Sequence, residues 1–311
     1  MLSLTIVGAR LAQFLCAMIL LGSPLFFLYG LPRQGPGAAR ALAWPRPLLF
    51  GAAVVLAVVT SVSLCAQTAM MSGAVSDAFS PDALQDVVTD TQFGLVTVGR
   101  LGLTMVLVIL LAAARPSRAL WIAASVLGAG IVASFAWTGH GATDEGVPGW
   151  VHLTSDVLHL LAAAVWLGAL AAFAALLWRS RRAKTPQELR TLHRALEGFS
   201  GIGSGVVAVI LATGLVNSWF LVGPSHLAGL LSDPYGQLLA AKVALFVVML
   251  GLAAANRFRL TPHLRTALDG GAPTAGALAA LRRSVLVESL LGLAVLGLVS
   301  LLGTLAPLTS Q

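Results

Sequence analysis

Apolar residues in this chain are gathered into eight long blocks that are separated by short polar segments. Each block has about 20 residues or more, and at 1.5 Å per residue a helix of that length spans a hydrocarbon core of about 30 Å. The blocks lack a polar stripe, as expected of helices that face lipid. The pattern predicts an all-α polytopic integral membrane protein, a bundle of about eight transmembrane helices in one transmembrane domain over residues 1–311. The predicted helices are 4–29, 47–71, 92–114, 119–137, 150–178, 200–222, 236–256 and 284–306.

The charges of the connecting loops alternate along the chain. The first, third, fifth and seventh loops are rich in arginine, whereas the second, fourth and sixth carry acidic residues and no cation. Cytoplasmic loops of membrane proteins are enriched in Lys and Arg, so the odd loops are predicted to be cytoplasmic. With an even number of helices, both termini are then predicted to be periplasmic.

Composition agrees with a membrane protein. Of the 311 residues, 58% are hydrophobic and only 10% are charged, too few to cover a soluble globule. The net charge of +7 comes from the cytoplasmic loops, so it reports topology and does not indicate a nucleic-acid partner. The two cysteines, Cys16 and Cys65, form no CxxC motif and indicate neither a disulfide framework nor haem attachment.

Ionisable side chains recur on one face of the fifth predicted helix. His152, Asp156 and His159 stand at positions i, i+4 and i+7, and all three lie in its outer part. His140 ends the fourth helix on the same predicted side. Asp156 is one turn from each histidine, where a carboxylate can accept a ring N–H and fix the tautomer of a ligating histidine.

Two methionines, Met70 and Met71, end the second helix on the same predicted side. Thioether sulfur selects Cu(I), and neutral imidazole serves Cu(I) or Cu(II). One interpretation is therefore a copper site at the outer membrane face. The alternative is that the histidines make interfacial and helix–helix hydrogen bonds and the methionines pack. The candidate metal ligands are His140, His159, His152, Met70 and Met71.

Further charges lie inside the predicted helices, where they are costly and therefore candidates for function. Arg10, Arg100 and Lys242 fall in the outer half, as Asp156 does. A pair between Asp156 and either Arg100 or Lys242 would neutralise charge. The alternative is that the long cations extend to the outer surface.

Glu288 lies near the cytoplasmic end of the last predicted helix. Its carboxyl group is interpreted either as a proton or ion relay or as a partner of Arg257 or Asn256.

Several enzymatic motifs are absent from the sequence. It contains no Walker A, G-x-S-x-G or H-E-x-x-H motif, and no phosphorylation motif of a P-type ATPase. The sequence therefore predicts a protein that is not an enzyme. Any transport is expected to be passive, or coupled to an ion gradient or a partner.

The segment GHGATDEGVPGWVHLTSDVLHLLAAAVWLGALAAF resembles the central signature of the copper resistance protein D (CopD/PcoD) family. His140, Asp156, His159, Trp166 and Gly168 occupy the matching positions, and Ala169 stands where a second glycine is usual. The resemblance continues through YGQLLAAKVALF, which contains Lys242, and through the helix that contains Glu288. It extends over about 140–307.

This resemblance implies a multi-pass protein of the bacterial inner membrane that acts in copper homeostasis. It implies copper ion, Cu(I) or Cu(II), bound at the periplasmic face and moved across the membrane, with a periplasmic CopC-type copper carrier as partner. The supporting residues would be Asp156, Lys242, Glu288, Arg100 and Trp166. The alternative is a haem-binding redox protein of the HemJ-like oxidase type, with His159 as an axial ligand; that reading lacks a second deep histidine on another helix.

Overall fold

The computed structural model describes residues 2–30, 45–139, 146–179, 186–270 and 274–310, and no strand occurs in these ranges. Long α-helices make up almost all of this part of the chain. In chain order they are α1 (Leu2–Gly30), α2 (Arg46–Ser72), α3 (Pro81–Asp90), α4 (Gln92–Ala113), α5 (Arg118–Ala133), α6 (Gly146–Arg179), α7 (Pro186–Val222), α8 (Pro234–Ala255), α9 (Thr261–Asp269) and α10 (Ala275–Leu302).

Eight of the described helical segments are long and apolar enough to cross a membrane, which confirms the all-α polytopic fold. They comprise α1, α2, α4, α5, α6, α7, α8 with its continuation, and α10. The α7 helix begins at Pro186, well ahead of the predicted start near residue 200. An apolar block marks only the part of a helix that suits lipid, and the polar first turns of α7 continue the helix outside that block.

Three connections that hydropathy predicts to be loops, the second, sixth and seventh, are partly helical in the described residues. The second connection contains a 3₁₀ turn, Val75–Phe79, followed by the short helix α3. Ser80 caps α3 by accepting a hydrogen bond from the Ala83 N–H, and Pro81 occupies the first helical position. Because α3 buries little apart from Val87, a search for long apolar blocks does not find it.

The first helix lies at the centre of the bundle. It packs against α2, α5, α6 and α10, and its large side chains Leu20, Phe26 and Phe27 are fully buried. Its crossing with α6 is especially close, because a side chain at Gly22 would overlap the carbonyl oxygen of Ala164, and one at Gly168 would overlap the backbone of α1. Small residues allow membrane helices to approach in this way.

Both ends of the chain lie at the same end of the bundle. The Arg10 Nη1 atom donates to the carbonyl oxygen of Gly303 at 3.1 Å, which places the start of α1 beside the end of α10. We call this the terminal end, and the opposite one the inner end. Because the spans alternate in direction, α6 also begins at the terminal end. Which side of the membrane this end faces stays a prediction.

The seventh span changes its helical geometry before it ends. A π-helical turn, Asn256–Leu260, follows α8 directly and leads into α9. Single π-helical turns inside longer helices are frequent at functional sites. This turn lies at the inner end and presents Asn256 to α10.

Candidate functional site

The polar face of α6 meets a polar face of α7. Four α6 side chains, each one turn or less from the next, lie against α7 residues that share the same i, i+4, i+7 spacing. We call this contact the α6–α7 seam. It consists of His152, Ser155, Asp156 and His159 on α6, and Thr213, Asn217 and Phe220 on α7.

His159 is held by a hydrogen bond that orients its ring and favours one tautomer. Its Nδ1 atom lies 3.0 Å from Oγ1 of Thr213. The same hydroxyl lies 2.6 Å from the carbonyl oxygen of Val209, and this arrangement favours donation to that carbonyl and acceptance from the Nδ1–H of the imidazole. The Nε2 atom, which carries the lone pair, is then the ligand atom that His159 can offer to a metal.

Asp156 lies one turn ahead of His159 and is surrounded by compensating groups. Asn217 Nδ2 donates to its Oδ1 atom at 3.3 Å, and Lys242 of α8 is close enough to interact with it electrostatically. Of the two cations considered as partners of Asp156, the structure therefore brings Lys242 to it. The Oδ2 atom lies beside Gly139, the residue that precedes His140 in the chain.

His152 is buried at the outermost position of the seam. Its ring stacks on Phe220 with the two ring centroids 4.7 Å apart and the planes almost parallel. Such a contact restricts the imidazole to one orientation, which favours a fixed role in the seam over a freely rotating surface histidine.

The other predicted ligands are not brought to the seam in the described residues. Met70 and Met71 are 55% and 53% exposed at the end of α2, whose main helix contacts are with α1 and α4. His140 lies outside the described residues. Within the described ranges no three His, Cys, Asp or Glu side chains are grouped to hold a metal ion. The five-residue ligand set stays a prediction.

Arg100 belongs to another part of the bundle. Its Nε atom donates to Ser134 Oγ at 2.8 Å, and its guanidinium lies over the ring of Phe135, 3.7 Å from the centroid. It therefore serves α4–α5 packing in this structure, away from Asp156.

A second polar group lies nearer the inner end of α6. Glu288 of α10 is only 2% exposed, and both of its carboxyl oxygens are hydrogen-bonded. Trp166 Nε1 donates to Oε1 at 3.0 Å, and Asn256 Nδ2 donates to Oε2 at 2.9 Å. Of the partners considered for Glu288, the structure shows Asn256, and it adds Trp166.

Glu288 and Trp166 also line a cavity of about 310 Å³ that lies between α6, α7, α8 and α10. Its walls are mostly apolar, and Arg257, which hydrogen-bonds Ser204, lies at its polar side. Trp166 follows His159 by seven residues on the same helix face, so about 10 Å along the helix axis separates the seam from this cavity. Met249 of α8 is buried in the same apolar cluster as Trp166.

Thr213, Asn217 and Met249 were not among the residues singled out from the sequence. A usable signal existed for the first two, because they are polar residues four apart in the segment VVAVILATGLVNSWF, which contains one other polar residue, Ser218. Intramembrane polar residues with helical spacing indicate a helix–helix contact. Nothing in the sequence distinguishes Met249 from a packing residue.

The fold and the polar seam define a class: a multi-pass helical membrane protein with a buried polar contact between two of its spans. Two family models match the chain, one described as "Copper resistance protein D-like, N-terminal domain" over residues 1–150 and one as "Copper resistance protein D" over residues 193–302. Copper resistance protein D of Pseudomonas syringae pv. tomato is 37% identical over 302 residues, covering 97% of this chain and 96% of that protein. The chain belongs to the copper resistance protein D family.

Two further relatives agree with this assignment. Inner membrane protein YebZ of Escherichia coli K12 is 31% identical over 99% of this chain and 100% of that protein. Copper transport protein CutJ of Bacillus subtilis 168 is 30% identical over 72% of this chain, but the match covers only 41% of CutJ. No solved structure matches significantly. With its eight apolar spans, the chain is a multi-pass protein of the inner membrane.

Proposed function

We propose that this protein binds copper at the periplasmic face of the inner membrane and carries it across. The observation that carries the proposal is the His159–Thr213 hydrogen bond. It leaves the Nε2 atom of His159 with a lone pair that can bind a metal inside the bundle. Imidazole with this defined tautomer is a suitable ligand for Cu(I) or Cu(II). The names of two relatives, which refer to copper resistance and copper transport, support the same substrate.

The seam supplies charge as well as a ligand. Asp156 carries the negative charge that offsets an arriving cation; when no metal is present, Lys242 balances this charge and Asn217 donates a hydrogen bond to the carboxylate. His140 is proposed as a second ligand because the chain contacts Asp156 at Gly139, immediately before it. His152, Met70 and Met71 are proposed as a capture surface farther out.

The inner end provides a destination for a cation that leaves the seam. The thioether of Met249 is buried in the same apolar cluster as Trp166, and Glu288 follows at the wall of the inner cavity. Thioether and carboxylate groups are both copper ligands, the first favouring Cu(I). In this proposal Trp166 separates the two polar regions and must move when copper passes.

We propose a carrier and not an enzyme. The sequence offers no ATPase or hydrolase motif, so the copper gradient, a counter-ion or a partner must supply the driving force. A periplasmic CopC-type carrier is the proposed donor of copper, because the candidate ligands gather at the end predicted to face the periplasm.

The test is copper binding by the purified protein together with uptake of a copper isotope by cells that lack the native gene. His159→Ala and Asp156→Asn are expected to abolish uptake and to weaken binding, about 10-fold or more for the histidine ligand. The matched control is His263→Ala, which removes an exposed histidine of α9 and is expected to change neither quantity.

Unchanged copper stoichiometry and affinity in the double variant His140→Ala, His159→Ala would disprove this site. A visible spectrum of the same preparation distinguishes the haem alternative. A Soret band that is lost in His159→Ala would favour haem, whereas bound copper without a Soret band supports the carrier.

A further inference from the structure

Another buried polar cluster lies at the terminal end of the bundle, and it shares no residue with the α6–α7 seam or with the group around Glu288. Arg10 of α1 and Arg100 of α4 both line a small cavity of about 30 Å³. Arg100 is 2% exposed, and the two guanidinium groups are close enough to repel each other. The other polar side chains that line the cavity are Gln13, Ser63, Gln67 and Thr138.

The side chain of each arginine lies at the C-terminal end of a helix other than its own. Arg10 donates to the carbonyl oxygen of Gly303, just beyond α10, and the guanidinium fills space that any side chain at position 303 would need. Arg100 donates to the hydroxyl and the carbonyl oxygen of Ser134, the C-cap residue of α5, and to Thr138. A helix C-terminus carries about half of a negative charge. Two guanidinium groups and two helix ends therefore leave about one positive charge.

Nothing in the described part of the chain neutralises this remaining charge. No acidic side chain is among the described residues that line the cavity, and the ion pairs found there involve neither arginine. The Nε–H of Arg10 is buried, and no residue in the described ranges accepts a hydrogen bond from it. A buried charge without a counter-charge is strongly unfavourable in a membrane. Among the residues that the structure describes, the site therefore lacks an acceptor that carries one negative charge.

The volume limits what that acceptor can be. A single water molecule needs about 10–15 Å³ of cavity volume, so a cavity of about 30 Å³ has room for a small ion. We propose that Arg10 and Arg100 bind a small monovalent inorganic anion, of the size of chloride, between the ends of α5 and α10. The amide of Gln67 and the free Nε–H of Arg10 supply further donors. The anion would connect α1, α4, α5 and α10 at the terminal end.

The experiment is a thermal unfolding series on the purified full-length protein in detergent, with chloride replaced by gluconate at constant ionic strength and with a copper chelator present. Gluconate is too large for the cavity. The apparent Tm is expected to rise with chloride concentration and to saturate, because a ligand that binds only the folded state stabilises it by mass action. Bromide should replace chloride and give an anomalous scattering peak between the two guanidinium groups.

Variants locate the effect. Arg10→Gln and Arg100→Gln are each expected to raise the half-saturating chloride concentration by about 10-fold or more, since a charge-assisted hydrogen bond is lost. The matched control is Arg118→Gln. Arg118 also donates to a carbonyl at a helix end, that of Leu28 at 2.9 Å, but it does not line the cavity. This control can lower Tm, yet it must retain the wild-type chloride dependence.

Two results would overturn the proposal. One is a wild-type Tm that does not change between chloride and gluconate, with no bromide peak at the site. The cavity would then contain only water, and the arginines would serve only as helix caps. The other is an unchanged chloride dependence in Arg100→Gln, which would place the anion elsewhere. The wild-type measurements decide the question even if a variant does not fold.

Discussion

Thr213 is the side chain that decides which nitrogen of His159 faces outward from the α6–α7 contact. Its hydroxyl has one hydrogen, and the Val209 carbonyl lies in position to accept it, which favours an imidazole that donates to the hydroxyl oxygen. A valine at this position has the same shape and offers no acceptor. The ring would then lose the bond that fixes both its tautomer and its orientation.

We expect Thr213→Val to weaken copper binding about 10-fold, as is typical when a group that orients a metal ligand is lost, with a small effect on folding. Thr213→Ser should retain most of the affinity because it keeps the hydroxyl. Ser218→Ala is the control, since Ser218 donates to the backbone of α7 and does not touch His159. Copper titration of the purified variants measures this, and equal affinities in Thr213→Val and wild type would contradict it.

Trp166 and Glu288 form the other residue-level contact that can be tested directly. Trp166→Phe keeps a ring in place but leaves the buried Oε1 atom of Glu288 without its donor. We expect a loss of about 1–3 kcal/mol in the free energy of unfolding. Chemical denaturation in detergent gives this value. Trp178→Phe, at a tryptophan that is exposed in the structure, should change stability by less than about 0.5 kcal/mol.

A double-mutant cycle separates this hydrogen bond from simple packing. The effects of Trp166→Phe and Glu288→Gln should not add, because both act on one contact, and a coupling of about 0.5–3 kcal/mol is expected. Additive effects would mean that the indole N–H and the carboxylate do not depend on each other.

Among the helices, the crossing of α1 with α6 controls how closely the two halves of the chain approach. Gly22 and Gly168 face each other there, and Ser23 donates to the Gly168 carbonyl oxygen at 2.8 Å. Any added carbon at position 168 must push the helix backbones apart.

Gly168→Ala is therefore expected to destabilise the protein by about 1–3 kcal/mol, the usual cost of overpacking, although alanine is the better helix former. Gly51→Ala on α2 is the matched control, because nothing lies within 4 Å of an added Cβ at that position. It should be neutral or slightly stabilising. A Gly168→Ala protein that unfolds at the wild-type temperature would show that the two helices can separate without cost.

The elements differ in how well their sequence predicts them. The eight spans could be predicted because the membrane requires about 20 consecutive apolar residues, and such blocks are visible without knowledge of packing. The short helix α3 and the π-helical turn after α8 have no such signature. The α6 side of the seam could be predicted, because helical spacing puts its polar residues on one face. The pairing of His159 with Thr213 could not be predicted, because it depends on the rotation of α7, which the local sequence does not determine.

At the scale of the whole molecule, the arrangement of charged loops predicts its orientation. The structure places both termini at one end of the bundle, and the arginine-rich connecting loops at the opposite end predict, by the positive-inside rule, that the terminal end faces the periplasm. This orientation carries the copper proposal, because the seam lies toward the terminal end.

Reporter fusions test the orientation. Alkaline phosphatase, which is active only in the periplasm, should be active when fused after Ser310 and inactive when fused in the connection after Arg115. Green fluorescent protein should show the reverse pattern. Fluorescence from the C-terminal fusion would invert the bundle and place the seam on the cytoplasmic side.

The central position of α1 has a consequence for how the protein is made. This helix is synthesised first, yet Ser23 finds its acceptor only when α6 has been inserted, and Arg10 finds the carbonyl of Gly303 only 293 residues later. Until translation ends, the first helix carries polar groups that the lipid cannot satisfy. A nascent chain that stops before its last helix therefore lacks the acceptor for Arg10 in its first helix. The unpaired Arg10 distinguishes such a truncated chain from the full-length protein.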